Sequence, residues 1–276
     1  MSATGEAGTR PALLPRLLEA IGAPPRRGVQ VALAAAALTL GIVVEAASRA
    51  TWRHVTVRDE FRRELRLSLL GGLLTVLVTA AIVGLGMVYE AISWLSFLGQ
   101  EGYAGRILVT VLVRETTPVL VGLILLGRSG TVTVVEFGAV KASGQLRVLE
   151  AQGLDPFTLL VLPRVLALAV SAFTLGVIFL VVALATGWLA AEFVGLLLRE
   201  GAAGFIDNVV EATDRRDYAL FATKMVLIGG LVGLTSAITG MSATARDTPS
   251  FLLPRGFVRG MFAVLVTSTL LSVAIT

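Results

Sequence analysis

Arg114 and Glu115 stand side by side within the apolar segment 107–127, and Pro118 follows one turn later. Ionisable groups at bilayer depth are costly, so a membrane chain that carries them commonly uses them. Because proline has no N–H, the carbonyl of Arg114 loses its helical donor and a kink is expected at Pro118. Neighbouring helix residues point about 100° apart, so the two charges cannot simply neutralise each other. The pattern indicates either a polar spot on a substrate path or a charged cluster that locks helices together.

The composition is that of a polytopic helical membrane protein. Of the 276 residues, 55% are hydrophobic and 15% are charged, whereas soluble domains carry about 25% charged residues. The chain has no cysteine and one histidine, His54, which excludes disulfides, thiol nucleophiles, iron–sulfur clusters and paired-histidine metal sites. It also has no phosphate-loop motif. We therefore expect no catalytic residue, no metal and no bound cofactor, and the net charge of +4 suits anionic lipid headgroups rather than nucleic acid.

Six apolar segments are candidates for membrane spans, and five of them are predicted to cross. Segment 28–47 has arginines on both flanks, so we predict that it lies in the plane of the cytoplasmic interface. Residues 1–27 are expected to form a cytoplasmic tail. Gly229 and Gly233 are spaced for close helix packing. The predicted spans are 67–88, 107–127, 157–187, 219–240 and 257–276.

The loops between these spans differ in charge, which sets the predicted orientation. Loops 89–106 and 188–218 contain more acidic than basic residues, whereas loops 128–156 and 241–256 hold the Lys and Arg residues that place them inside. Because loops with Lys and Arg stay in the cytoplasm, the N-terminus should be cytoplasmic and the C-terminus should face outside. Residues 192–213 have an amphipathic pattern and are predicted to form a short helix on the outer surface.

The segment 131–153 is long for a simple loop. A broken apolar stripe with charged residues on the other face predicts one or two short helices on the cytoplasmic surface. Gly153 is a predicted C-cap, Asp155 a predicted N-cap, and Pro156 a first-turn proline of the next helix. Two interpretations stay open, a solvated connector and a docking helix that fits a groove on a cytoplasmic partner.

Short motifs between residues 114 and 164 resemble the signature of the MlaE-type permeases, the membrane subunits of bacterial ABC transporters that move lipids between the two envelope membranes. The similarity extends over most of the chain from about residue 28, but it is most specific in this region. The motifs occur in the family's order as Arg114-Glu115-x-x-Pro118, Gly127-Arg128-Ser129-Gly130, Glu136-Phe137-Gly138, Gln145-Leu146, Glu150, Leu154-Asp155-Pro156 and Pro163-Arg164.

The resemblance implies a single all-α permease domain over residues 28–276, with an in-plane elbow helix at 28–47 and a cytoplasmic coupling helix within 131–153. It implies a homodimer in the bacterial inner membrane, bound to two cytoplasmic ATPase subunits that hold the ATP. An MCE-type lipid-binding protein is implied on the periplasmic face, and an accessory regulator of the ATPase is a further candidate partner. The implied cargo is phospholipid or a related lipid.

The resemblance also implies roles for particular residues. It places Arg114 and Glu115 at a lipid cavity between the subunits, and the coupling surface at Lys141, Gln145, Arg147 and Glu150. A lipid needs one polar anchor within an apolar wall. We therefore predict that the same cavity is lined by the outer end of the first span, at Leu85, Met87, Val88 and Tyr89.

The chain departs from the family pattern at three places. Thr116-Thr117 replaces the usual Leu-Gly, Gly144 replaces a usual Glu, and a typical glutamine has no match near residues 90–92. The cargo and the ATPase contact at Gly144 are therefore left open. The alternative function is an ion-coupled secondary transporter of an amphiphilic substrate. That class favours internal repeats and paired acidic residues, whereas this chain shows no repeat and one carboxylate clearly at depth, Glu115.

Overall fold

The computed structural model describes residues 55–99, 103–194, 201–243 and 249–275. These ranges are helical almost throughout and contain no strand. Five of their helices are long and apolar enough to cross a membrane, which confirms the predicted number of spans and the all-α class. The predicted tail 1–27 and in-plane helix 28–47 lie outside the described residues. The first to fifth spans are Val55–Phe97, Arg106–Ala142, Phe157–Phe193, Arg215–Met241 and Phe251–Ala274.

The helices are built from the following elements. The first span consists of Val55–Val83, the π-helical turn Gly84–Val88 and Tyr89–Phe97. The second span begins within the short helix Ala104–Leu108 and continues through Val109–Thr116 (π), Thr117–Leu125, Leu126–Gly130 (π) and Thr131–Ala142. The third joins Phe157–Val161 (π) to Leu162–Phe193, and the fourth and fifth are Arg215–Met241 and Pro249–Ile275. Two short helices, Gln145–Ala151 and Gly201–Ala212, lie between spans.

The second span is longer than predicted. The sequence predicts that this helix stops at residues 127–130, but the chain instead passes through a π-helical turn and continues to Ala142. The hydroxyl of Thr131 donates to the carbonyl of Gly127 at 2.7 Å, and that of Thr133 to the carbonyl of Ser129 at 2.8 Å, so side chains serve the carbonyls of the irregular turn. Residues 131–142 pack against the fourth span, and of the predicted coupling region only residues 143–153 are separate from this long helix.

The third and fourth spans form the centre of the described bundle. They contact each other closely at Gly229, where an added Cβ would lie 2.5 Å from the carbonyl oxygen of Leu168. The first span packs along the third with a stripe of small and medium residues that includes Gly72, Val76 and Ala80. Its opposite face exposes large apolar side chains, as expected of a helix that faces lipid or another subunit.

The helix Gly201–Ala212 occupies part of the region predicted as an outer-surface helix, 192–213. The third span runs on to Phe193, so the two predicted boundaries differ from those observed. The helix packs on the start of the second span, and Phe205 reaches the main apolar core. Its place on the outer surface stays a prediction.

Candidate functional site

Arg114 and Glu115 form ion pairs with two different residues of the fourth span. Arg114 Nε lies 2.7 Å from Asp217 Oδ1, and Glu115 Oε1 lies 3.3 Å from Lys224 Nζ. Asp217 and Lys224 are seven residues apart, so they lie two turns apart on one face of their helix. The two neighbouring charges of the second span therefore have separate partners, in agreement with the expectation that they do not pair with each other.

Lys224 holds the centre of this cluster. Its side chain is 0% exposed, and its ammonium donates to the backbone carbonyl of Arg114 at 2.6 Å and to the hydroxyl of Ser272. That carbonyl is the one that Pro118 leaves without a helical donor, so a lysine from another span replaces the missing N–H. The hydroxyl of Ser272, on the fifth span, donates in turn to Glu115. The cluster thus joins the second, fourth and fifth spans.

Asp217 also shapes the start of the fourth span. Asp214 is the N-cap, and its backbone N–H donates to Asp217 Oδ2 at 3.1 Å, which completes a capping box. Asp217 is 3% exposed, so its carboxylate is buried between the helix N-terminus and Arg114. Both the helix dipole and the guanidinium favour a negative charge at this position.

A pocket of about 350 Å³ opens onto the cluster. The side chains of Arg114 and Glu115 remain 36% and 48% exposed, so each can contact a ligand while its inner partner stays covered. Arg114 and Glu115 thus present a cation and an anion side by side, supported by buried opposite charges, and the exposed Asp214 and Arg216 line the same pocket. The pocket is lined by Thr110, Arg114, Glu115, Asp214, Arg216, Asp217, Leu220 and Ser272.

The apolar residues predicted for the same cavity lie elsewhere in the described chain. Val88 is 0% exposed and belongs to the core, where it packs against Gly187 of the third span. Leu85 and Met87 are exposed and Tyr89 is partly buried, but none of the four lines the pocket at Arg114 and Glu115. Within one chain the structure does not bring the two predicted groups together, and a shared cavity at a dimer centre stays a prediction.

The predicted coupling residues differ in their surroundings. The ammonium of Lys141 donates to the carbonyl of Met241, the last residue of the fourth span, so it caps that helix. Gln145, Arg147 and Glu150 are exposed on the helix Gln145–Ala151, which buries no residue. Their contact with an ATPase stays a prediction.

The predicted caps around this short helix are confirmed. Gly153 has φ +72°, and the backbone N–H of Leu154 donates to the carbonyl of Leu149 at 3.0 Å, as in a Schellman motif. Asp155 accepts hydrogen bonds from the N–H groups of Phe157 and Thr158. Burial raises the pKa of Asp155, but these bonds and one from the Thr158 hydroxyl outweigh it, so the pKa lies below its usual value.

Lys224, Asp217 and Ser272 are not among the predicted site residues. Lys224 is the one Lys or Arg within the predicted span 219–240, and an ionisable residue at that depth is itself a signal of a site. Asp217 falls within the predicted acidic loop 188–218, which precedes that span. Nothing in the local sequence marks Ser272, because only the packing of the fifth span brings it to the cluster.

Comparison with known proteins places the chain in a family. The family model described as "Permease MlaE" matches residues 61–274. The protein TRIGALACTOSYLDIACYLGLYCEROL 1, chloroplastic, of Arabidopsis thaliana is 25% identical over 61% of this chain and 47% of its own length. A probable ABC transporter permease protein of Synechocystis is 26% identical over 61% of this chain and 63% of its own length.

A third relative is the intermembrane phospholipid transport system permease protein MlaE of Haemophilus influenzae, which is 29% identical over 40% of this chain and 42% of its own length. The chain thus spans less than two thirds of each of these relatives. The family match covers most of the described residues and all five membrane-capable helices in whole or in large part. This chain is therefore a multi-pass membrane protein that belongs to the MlaE permease family.

Proposed function

We propose that this chain is the permease subunit of an ABC transporter that moves phospholipid or a related lipid between the inner membrane and the outer envelope. A separate cytoplasmic ATPase supplies the energy, and this chain hydrolyses no ATP itself. The observation that carries the proposal is the half-exposed pair of Arg114 and Glu115 in a pocket between apolar spans. A phospholipid presents a charged headgroup and apolar tails, which require one polar anchor in an apolar surface.

The buried partners explain how such an anchor is kept in a membrane. An unpaired charge at bilayer depth is costly, but Asp217 and Lys224 neutralise Arg114 and Glu115 from the side away from the pocket. The exposed side of Arg114 can then bind a headgroup phosphate, and that of Glu115 a headgroup amine. When the pocket is empty, each residue still has its buried partner. Two of the relatives are named as an intermembrane phospholipid transport system permease and a probable ABC transporter permease, which agrees with this cargo and this transporter class.

The proposed assembly is a homodimer with two ATPase subunits and an MCE-type protein on the periplasmic face, with an accessory regulator as a further candidate. The first and fifth spans expose most of their apolar side chains, which leaves surface for a second subunit or for lipid. In the proposed orientation, residues 143–153 face the ATPase and the Arg114 pocket opens in the outer half of the membrane. The N-terminus is cytoplasmic and the C-terminus periplasmic.

The experiment is lipid co-purification and ATP-driven lipid transfer in reconstituted complexes. The variants are Arg114→Glu, Glu115→Arg and the double variant Glu115→Gln/Lys224→Met, which removes both charges of one pair and leaves no buried ion unpaired. We expect all three to lose lipid transfer, and the double variant to assemble like the parent. Glu211→Gln, an exposed carboxylate outside the pocket, is the matched control and should transfer lipid normally.

Two results would count against the proposal. If the variants bind and move lipid like the parent, the cluster only locks the second, fourth and fifth spans together. If transfer continues without the ATPase when an ion gradient is imposed, the chain is an ion-coupled transporter instead.

A further inference from the structure

A second charged cluster surrounds the guanidinium of Arg164, which is 6% exposed. Arg164 Nη2 lies 2.5 Å from Glu136 Oε2, 3.3 Å from Glu60 Oε1 and 3.4 Å from Glu64 Oε2. The guanidinium carbon also lies 5.2 Å from the centre of the Phe137 ring, within the range of a cation–π contact. Glu60 and Glu64 belong to the first span, Glu136 to the second and Arg164 to the third. One cation therefore joins three spans.

The cluster contains more carboxylates than cations. Three carboxylates face one buried guanidinium, and a second cation, the exposed Arg63, lies 3.7 Å from Glu60. A buried guanidinium strongly resists losing its last partner. Because Arg164 has partners on both neighbouring spans, it can keep one of them if another shifts. The cluster is thus suited to hold its helices together while they move.

The chain connectivity gives this cluster a mechanical position. Glu136 and Arg164 stand at the two ends of residues 137–163, the segment that carries the exposed helix Gln145–Ala151. Gly144 and Gly153, with φ +75° and +72°, border that helix. A force applied to the helix therefore reaches the second and third spans along the chain, in addition to the contact of Lys141 with Met241, and Glu136 and Arg164 join those two spans at the ends of the segment.

We propose that Arg164 is a positioning residue that passes a displacement of residues 137–163 to the first span through Glu60 and Glu64. The proposal rests on the proposed function, since the displacement comes from an ATPase bound at the exposed helix. It assigns a task to the Glu136–Arg164 contact that neither residue could perform alone. This role of Arg164 involves no residue of the proposed lipid site and no residue of the exposed helix proposed to bind the ATPase.

The experiment measures lipid moved per ATP hydrolysed in the reconstituted complex, together with ATPase co-purification. Glu136→Gln weakens the contact at the segment, and the double variant Glu60→Gln/Glu64→Gln removes both carboxylates that Arg164 contacts on the first span. We expect both variants to bind the ATPase and hydrolyse ATP while the ratio falls about fivefold or more, the lower range of coupling between sites. Glu136→Asp, which keeps the charge, should recover part of the ratio. Glu211→Gln, on the helix Gly201–Ala212, is the control and should keep the parent ratio.

A cross-link provides an independent test, because the chain has no native cysteine. The double variant Glu60→Cys/Arg164→Cys should be uncoupled when reduced and should regain coupling when a short bifunctional thiol reagent joins the first span to the third. An unchanged ratio in both Glu136→Gln and Glu60→Gln/Glu64→Gln would overturn the proposal, as would a normal ratio in Glu60→Gln/Glu64→Gln if Glu136→Gln does not assemble. A parent complex that moves no lipid with ATP would instead overturn the proposed function.

Discussion

The two members of the Glu115–Lys224 pair should contribute unequally to stability, because their exposures differ. Lys224 is 0% exposed and Glu115 is 48% exposed. Glu115→Gln leaves the ammonium of Lys224 buried without a counter-charge, which costs about 3–5 kcal/mol for a buried pair that loses one partner. Lys224→Met leaves a carboxylate that water can reach, and the main loss is the hydrogen bond to the Arg114 carbonyl, about 1–2 kcal/mol.

The assay is reversible unfolding of the purified protein in mixed micelles, with both single variants and the double variant. We expect Glu115→Gln to lower the free energy of unfolding by about 3 kcal/mol and Lys224→Met by about 1 kcal/mol. The double variant should resemble Lys224→Met, so the second substitution rescues the first. If Lys224→Met costs as much as Glu115→Gln, or if the double variant is the least stable, the exposure argument is refuted.

Three further predictions concern packing, capping and topology. Gly229→Ala should destabilise the protein by about 2 kcal/mol or more, because its Cβ would lie 2.5 Å from the Leu168 carbonyl oxygen; Gly230→Ala, whose Cβ would meet nothing closer than 3.8 Å, is the matched control and should be neutral or stabilising in the same unfolding assay. Asp155→Ala should cost about 1 kcal/mol at pH 7. Since the pKa of Asp155 is lowered in the folded state, its contribution is present above the unfolded-state value of about 4 and is lost as the pH falls through the folded-state value, so parent and variant should converge in acid. Cysteines introduced as Ala20→Cys and Trp52→Cys should both react only with cytoplasmic thiol reagents, and labelling of the second from outside would contradict the in-plane helix at 28–47.

Much of the fold follows from hydropathy, since the five apolar segments predicted to cross the membrane lie within or largely within the five observed spans, although the observed helices are longer. The end of the second span could not be predicted, because glycines at 127 and 130 are helix breakers in water but not where a neighbouring helix and threonine hydroxyls stabilise the turn. Gly144, a departure from the family pattern, has a local reason in its φ of +75°, a conformation that glutamate rarely adopts.

Only the part of the candidate site that lies on the second span could be predicted from the sequence. The position of Arg114, Glu115 and Pro118 in an apolar segment indicates two charges and a carbonyl in need of partners. Which residues supply them depends on the rotation of the fourth and fifth spans about their axes, and one chain's periodicity does not fix that rotation. Lys224 was visible in the sequence as a charge at depth, but its carbonyl partner was not.

The length of the second span has a consequence for communication across the membrane. Its 37 residues correspond to a rod of about 55 Å, well beyond the hydrocarbon thickness of about 30 Å. Arg114, near one end, and Glu136, near the other, lie on this single helix, roughly 33 Å apart at the usual helical rise. A tilt of this helix by about 5° around Arg114 would therefore move Glu136 by about 3 Å, which is enough to make or break an ion pair.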